Sequence, residues 1–319
     1  MPKKDSTTTP DDAGAPEPLK VLIAWRDGDS GTEAISFAAW LARTTPIRVR
    51  AVTVFTRPWP TTSLNKLGKK YRKWLKKESA RYAAAIKKEL AAAGLPKEFW
   101  DDEVSVFLDG TSETALLTQA ATAFDAHLVV LGSQGGAPKG RFRAGSTADA
   151  MLHSSPRPLG LMPRSVKLSK RGVTRITCAF VDTDDASDLI NSAADLAHLW
   201  HIPLRVITFA PEELTEDLGP NFDLESELTH EWREHSLAFL DRVHDAVLER
   251  HPQLSVTTEI GSGKGWSEAM NSLKWKKGDL LYVGSTPLGH FERVFIGSTT
   301  TEILHHTPVP MLIKPAASR

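Results

Sequence analysis

Residues 131–147 read LGSQGGAPKGRFRAGST, a glycine-rich stretch that follows an apolar run and precedes a helical pattern. Its spacing is Gly132, two residues, Gly135, nine residues and then Gly145-Ser146-Thr147. Glycines let the backbone approach a ligand, and consecutive amides at the start of a helix form a concavity that suits phosphate oxygens. The spacing therefore predicts a nucleotide pocket. The alternative is a surface loop whose glycines only make a turn and cap a helix.

The same arrangement returns 152 residues later, where residues 283–300 read VGSTPLGHFERVFIGSTT. The two stretches align at their first and last glycines, Gly284 with Gly132 and Gly297 with Gly145. Residues 20–42 and 175–197 also superpose, with an offset of 155 residues. We therefore predict a tandem duplication whose halves carry the same elements in the same order.

Length and composition narrow the class of protein. Each half of the 319 residues is long enough to bury its own core. The 39 lysines and arginines balance 39 aspartates and glutamates, so we expect neither nucleic acid nor a membrane as partner. The single cysteine, Cys178, provides no disulfide framework and no zinc site, and we expect a buried, inert thiol. With no apolar run of about 18 residues and no signal-peptide pattern, a cytoplasmic protein is expected.

Short apolar runs alternate with helical patterns along both halves. Strands are predicted at 20–25, 47–55, 104–108, 127–131 and 158–162, and again at 175–181, 204–209, 255–260, 280–283 and 309–313. The helices include 32–42, 78–93, 112–124, 146–153 and 226–249, and 56–77 is predicted to be a connection. The predicted parts are a disordered tail at 1–18, domain 1 at 19–163, a linker at 164–173 and domain 2 at 174–315.

Strands that read as continuous apolar runs between helices indicate a parallel sheet covered on both faces. The predicted fold class is therefore α/β, with two tandem repeats of a doubly wound domain of five parallel strands. Ligands of such sheets bind outside the carboxyl ends of the strands. Asp27 follows the first strand and Gly132 ends the fourth, so one pocket is expected to join them.

These motifs resemble those of the universal stress protein family. Its ATP-binding members carry Gly-x2-Gly-x9-Gly-[Ser/Thr] after the fourth strand and an aspartate after the first, and the first half contains both. The resemblance covers about residues 19–315 and implies an adenine nucleotide α-hydrolase-like fold that binds ATP, with or without magnesium. It also implies that Asp27 holds the adenosine, that the backbone of Val54 lines the adenine and that the glycine loop takes the phosphates. The nucleotide-binding residues implied in domain 1 are Ala24, Asp27, Val54, Leu131, Gly132, Gly135, Gly145, Ser146 and Thr147.

The sequence departs from the family pattern in both halves. Arg26 stands where the family usually has an apolar residue, and Asp-Gly-Asp at 27–29 replaces Asp-Gly-Ser. In the second half Pro287 occupies the second glycine position, where proline removes an amide donor, and Gly289 is a partial replacement. The resemblance thus implies a weaker site in domain 2, at Asp182, Phe209, Gly284, Gly289, Gly297, Ser298 and Thr299.

Other site motifs are excluded or weak. Residues 261–266 read GSGKGW, but a P-loop needs a glycine at position 258, where the chain has Thr258. No carboxylate and lysine set for phosphoryl transfer accompanies the glycine loop, so no catalytic residue is assigned. The histidines lack acidic or cysteine partners at metal-ligand spacing, so no metal site is assigned.

The favoured interpretation is a cytoplasmic stress-response protein that binds ATP as a regulatory ligand, mainly in domain 1. It is expected to act through a homodimer or another partner, and not as an enzyme. The alternatives are an ATP-independent interaction module and a slow ATPase. Residues 66–88 are strongly basic and the corresponding 212–249 strongly acidic. This polarity predicts that unlike halves pack together, within the chain or across an antiparallel homodimer.

Overall fold

A computed structural model describes residues 17–57, 68–180, 186–211, 222–285 and 298–315. The elements of the first half in these ranges are β1 (Leu19–Ala24), α1 (Asp29–Leu41), β2 (Ile47–Thr56), α2 (Gly68–Ala92), a 3-10 helix (Lys97–Phe99), β3 (Trp100–Gly110), α3 (Glu113–Ala123), β4 (Leu128–Gly132), α4 (Ser146–Leu152) and β5 (Leu159–Met162). Those of the second half are β6 (Arg175–Ala179), α5 (Ala186–Leu199), β7 (Leu204–Pro211), α6 (Phe222–Arg250), β8 (Val256–Gly263), α7 (Gly265–Ser272), β9 (Asp279–Gly284), α8 (Ser298–His306) and β10 (Met311–Lys314). The α/β class and its tandem repetition are confirmed.

The strands of both halves form one continuous sheet, in the order β3-β2-β1-β4-β5-β10-β9-β6-β7-β8. Within each half the paired strands run parallel, as predicted. The halves meet through the antiparallel pair β5 and β10, in which Leu312 lies opposite Gly160 and the pairing is symmetric about that point. The halves are therefore related by an approximate two-fold axis normal to the sheet, and the carboxyl ends of their strands lie at opposite edges.

Both faces of the sheet are covered by helices. One face, called the α2/α6 face below, carries α1, α2, α5 and α6, and the other carries α3, α4, α7 and α8. Successive residues of a strand point to opposite faces, so Ile23 packs in the layer of α1 and α2 while Leu22 packs in the layer of α3 and α4. Burial on both faces explains why the strands read as continuous apolar runs. No helix in the described ranges has the length and apolarity needed to span a membrane.

The structure corrects one prediction and makes a second more specific. The basic stretch within 56–77 is helical from Gly68 onward, because lysine and arginine are good helix formers and the aromatic side chains of this stretch pack. Trp74 stacks on Tyr71, with ring centroids 5.7 Å apart, and contacts Phe55 of β2 edge-on at 5.0 Å. The halves do pack together within the chain, through the pairing of β5 with β10. Pairing of the basic and acidic segments across a homodimer stays a prediction. Residues 1–16 of the predicted tail lie outside the described residues.

Candidate functional site

A cleft opens at the carboxyl ends of β1 and β4, and we call it the first-domain cleft. Its volume is about 220 Å³. It is lined by all nine residues selected from the sequence of domain 1, namely Ala24, Asp27, Val54, Leu131, Gly132, Gly135, Gly145, Ser146 and Thr147. Residues from four separate segments therefore meet at one place, where an open α/β sheet holds its ligands.

Glycine is present at the positions of this loop for different structural reasons. A Cβ atom at Gly132 would collide with the backbone carbonyl of Ser30, so glycine there lets β4 pack closely against the start of α1. A Cβ atom at Gly135 or Gly145 would meet nothing within 4 Å. These two positions line the cleft, and glycine leaves that space open to an incoming group.

Backbone and hydroxyl hydrogen bonds fix the loop shape. The amide of Gln134 donates to the carbonyl of Arg143 at 2.9 Å, and the amide of Arg143 donates to Oγ of Ser133 at 3.0 Å. Both ends of the loop are thus tied together before α4 begins at Ser146.

Glu33 supports the loop from inside the protein. Its side chain is buried, and its carboxylate accepts the amide of Ser133 at 3.0 Å and the backbone amide of Ser165. Burial raises the pKa of Glu33 above its ordinary value, and the hydrogen bond from Ser133 acts in the opposite direction. Sequence reasoning missed Glu33, because its partners are far away along the chain and only the fold brings them together.

A charged rim surrounds the cleft mouth. Nη2 of Arg26 donates to both carboxylate oxygens of Glu113, at 2.8 and 3.0 Å, and lies 3.5 Å from Oγ1 of Thr147. Asp27 lies 3.9 Å from Arg81 of α2. The family departure noted at Arg26 therefore faces the cleft, while Glu113 is a lining residue that the sequence analysis did not select.

The inner wall of the cleft is apolar. Val52, Val54, Leu117 and Leu131 line it, and Trp25 closes one side with its indole nitrogen donating to Glu89 at 3.0 Å. Apolar walls with a few polar groups at the mouth are typical of small-molecule pockets. A flat apolar group fits the wall, and an anionic group fits the glycine loop and Arg26.

The domain 2 candidates are only partly described. Three of them, Asp182, Gly289 and Gly297, lie outside the described residues, as does Pro287. Of the others, Gly284 ends β9, and Ser298 and Thr299 begin α8, where their side chains are not described.

Phe209 shows how the second half differs. It is buried and packs edge-on against Trp266, with ring centroids 5.5 Å apart. Phe209 corresponds to Val54, and Trp266 corresponds to Glu113 when Gly263 is aligned with Gly110. Two aromatic rings thus occupy the positions that a small wall residue and a rim carboxylate hold in domain 1.

The structure also bears on the single cysteine and on possible metal ligands. Cys178 is buried in β6, and burial raises its pKa to about 12, which leaves the thiol unreactive at neutral pH. In the described part of the chain, no three His, Cys, Asp or Glu side chains are grouped so as to hold a metal ion.

Comparisons with known proteins agree with the fold and the repeat. The family model for the universal stress protein family matches residues 19–161 and again 172–315. The chain belongs to the universal stress protein family, as a member with two tandem domains. Universal stress protein Rv2319c of Mycobacterium tuberculosis is 30% identical over 302 residues, which cover 93% of this chain and all of that protein. Universal stress protein Mb2346c of Mycobacterium bovis matches equally.

Solved structures show the same fold at low identity. The crystal structure of a universal stress protein from Archaeoglobus fulgidus has a TM-score of 0.63 and 14% identity, with 92% of this chain and 97% of that chain covered. A putative universal stress protein from Pseudomonas aeruginosa has a TM-score of 0.52 and 16% identity, with 94% of both chains covered. These structures show the shared fold alone, and the family match places the chain among the universal stress proteins, a stress-response family.

Proposed function

We propose that domain 1 binds ATP as a regulatory ligand, and that the protein acts in the cytoplasm through a homodimer or another partner. The observation that carries the proposal is the convergence of the nine motif residues on the first-domain cleft. The open space at Gly135 and Gly145 leaves room for phosphate beside the loop amides. Magnesium arrives with the phosphates in this proposal, since it is usually held by phosphate oxygens, waters and only one or two carboxylates.

The proposed role is regulatory because the carboxylates at the cleft mouth are engaged with arginines. Three carboxylates line the cleft: Glu113 is paired with Arg26, Asp29 is paired with Arg164 at 3.2 Å, and Asp27 lies near Arg81. Phosphoryl transfer needs a carboxylate that holds the metal and a group that orients the nucleophile, and none of the three is placed free for these tasks. Binding without rapid turnover is therefore the function we assign to the cleft.

The proposal assigns the tighter site to domain 1. A ligand that used the second half in the same way would have to displace the ring of Trp266 from Phe209. The sequence change to Pro287 removes one amide donor in addition, and a hydrogen bond to a charged group contributes about 1.5–3 kcal/mol. We expect one tight ATP site per chain.

Two measurements test the proposal. Mass spectrometry of the supernatant after denaturation is expected to find adenine nucleotide bound to the purified protein, and calorimetry is expected to show one tight site per chain. A substitution in the loop tests the site itself. Gly145→Val places a branched side chain in the cleft and should lower ATP affinity several-fold or more.

Gly136→Val is the matched control. A Cβ atom at position 136 would also meet open space, but this residue does not line the cleft. Absence of bound nucleotide together with no measurable ATP affinity in the folded parent protein would overturn the proposal.

A further inference from the structure

Two long helices of the same face carry opposite charge. Helix α2 has nine lysines and arginines against two glutamates, and all nine cationic side chains are exposed. Helix α6 has eight aspartates and glutamates against three arginines. The described acidic side chains of α6, among them Asp241, Asp245 and Glu249, are exposed as well.

The two helices lie at opposite ends of the sheet. Helix α2 packs on β3 and helix α6 on β8, and these strands are the two edges of the sheet. At about 4.8 Å per strand the edges are roughly 40 Å apart. Exposed charges are screened beyond about 10 Å at 0.1 M salt. The basic and acidic helices therefore cannot neutralise each other within one chain.

The same face also carries exposed apolar side chains. Among the described residues, the exposed large hydrophobic side chains are Trp74, Leu199 and Leu237, at 38%, 64% and 47% exposure. They belong to α2, α5 and α6, so all three lie on the α2/α6 face. These three residues are spread from one edge of the face to the other, so each is a single exposed hydrophobic residue. The opposite charges of α2 and α6 are therefore what mark this face as an interaction surface.

Near the middle of this face the second half has an open groove of about 370 Å³. Its lining includes Ser192, Asp195 and Leu199 of α5. In the first half the residues corresponding to Ser192 and Asp195 are Phe37 and Trp40, whose rings are buried. The second half thus has small or polar side chains where the first half has two buried aromatic rings, and the surface beside Leu199 is concave.

We propose that the α2/α6 face pairs with the α2/α6 face of a second copy of this chain. A two-fold axis parallel to the strands, between two stacked sheets, places α2 of each chain over α6 of its partner. Both charge contacts then form at once and the assembly is a closed dimer. A two-fold axis across the strands would instead place α2 over α2 and α6 over α6, and like charges disfavour that arrangement. The inference specifies the homodimer named in the proposed function and does not depend on nucleotide binding.

The test is a charge-swap experiment on the full chain, followed by sedimentation velocity at 50 mM and 500 mM salt. One variant carries Lys73→Glu, Lys76→Glu and Lys77→Glu on α2, and the other carries Asp241→Lys, Asp245→Lys and Glu249→Lys on α6. Each variant alone is expected to dimerise about tenfold or more weakly than the parent at low salt, because the two-fold axis makes every substitution act twice. An equimolar mixture should form a heterodimer, since each acidic helix then meets a basic one.

Lys274→Glu, Lys276→Glu and Lys277→Glu form the control, because these exposed lysines lie in the loop between α7 and β9. The control should dimerise as the parent does. The proposal is overturned if the parent is monomeric under all conditions, if the variants dimerise as the parent does, or if the mixture forms no heterodimer. If the parent is monomeric and its basic helix α2 binds a duplex DNA probe, then α2 binds a nucleic-acid phosphate backbone and not a second copy of the chain. ATP titration of the same samples reports on the proposed function separately.

Discussion

Glu113→Gln should tighten ATP binding to the first-domain cleft, because it removes the anion that competes with phosphate for Arg26. One guanidinium nitrogen of Arg26 donates to both carboxylate oxygens of Glu113, at 2.8 and 3.0 Å. The Arg26 side chain is 64% exposed, so the pair lies in the range of surface ion pairs, at about 0.2–1 kcal/mol. Release of that interaction corresponds to an affinity gain of roughly 1.4-fold to fivefold.

The complementary variant is Arg26→Leu, which introduces an apolar residue of the kind that the family pattern has. Loss of a hydrogen bond to a charged phosphate is worth about 1.5–3 kcal/mol, or roughly ten- to a hundred-fold in affinity for ATP. Adenosine has no phosphate, and its affinity should stay the same. The ratio of ATP to adenosine affinity is therefore the quantity that reports on Arg26.

Isothermal titration calorimetry of ATP and adenosine with the parent and both variants measures that ratio. Glu103→Gln is a suitable control, since Glu103 is an exposed acid of β3 that does not line the cleft. The reasoning is refuted if Arg26→Leu binds ATP and adenosine with the same ratio as the parent, because Arg26 would then make no contact with phosphate.

Two further predictions concern stability in the second half. Asp279→Ala should lower the free energy of unfolding by about 3–5 kcal/mol in urea titrations, because Asp279 is fully buried and accepts two hydrogen bonds from Arg175, at 2.6 and 2.8 Å. Exposed Asp149→Ala should change it by less than about 0.5 kcal/mol, and an equal effect of the two would contradict this. Arg250 and then His251 lower the pKa of Asp195 from 3.8 to about 2, so this carboxylate contributes stability above its ordinary pKa that is lost as pH falls from about 4 to about 2. Asp195→Asn should flatten that part of a melting-temperature profile, and an unchanged slope would show that the pair has no role.

The sequence predicted the strands well because burial on both faces leaves an unmistakable apolar run. Val21 to Ile23 and Leu128 to Leu131 are buried almost completely, and both runs were assigned to strands from composition alone. The repeat then predicted that the two halves share one parallel architecture. The first turns of α2 were missed because a run of lysines resembles a solvated connection until Tyr71 and Trp74 are seen to pack.

The candidate site divides in a similar way. The glycine spacing predicted the loop, because the residues that form a backbone loop follow one another in the sequence. Arg26 and Glu113 are 87 positions apart, and Glu33 and Ser133 are 100 apart. Pairs of this kind depend on which helix ends the fold brings to the cleft, and a single sequence carries no local pattern for them.

The antiparallel joint of β5 and β10 has a consequence for how the two halves can evolve. Because the strands of the second half run antiparallel to those of the first, the carboxyl ends of the two sets lie at opposite edges of the sheet. No single ligand can therefore bridge them. The covalent connection keeps the halves at an effective concentration of the millimolar order, so their union survives changes that would separate two independent chains. The second half can therefore lose its own ligand and persist as a permanent subunit of the first. Selection on Phe209 and Trp266 then acts on packing within that subunit, while the first-domain cleft keeps the ligand binding that we propose.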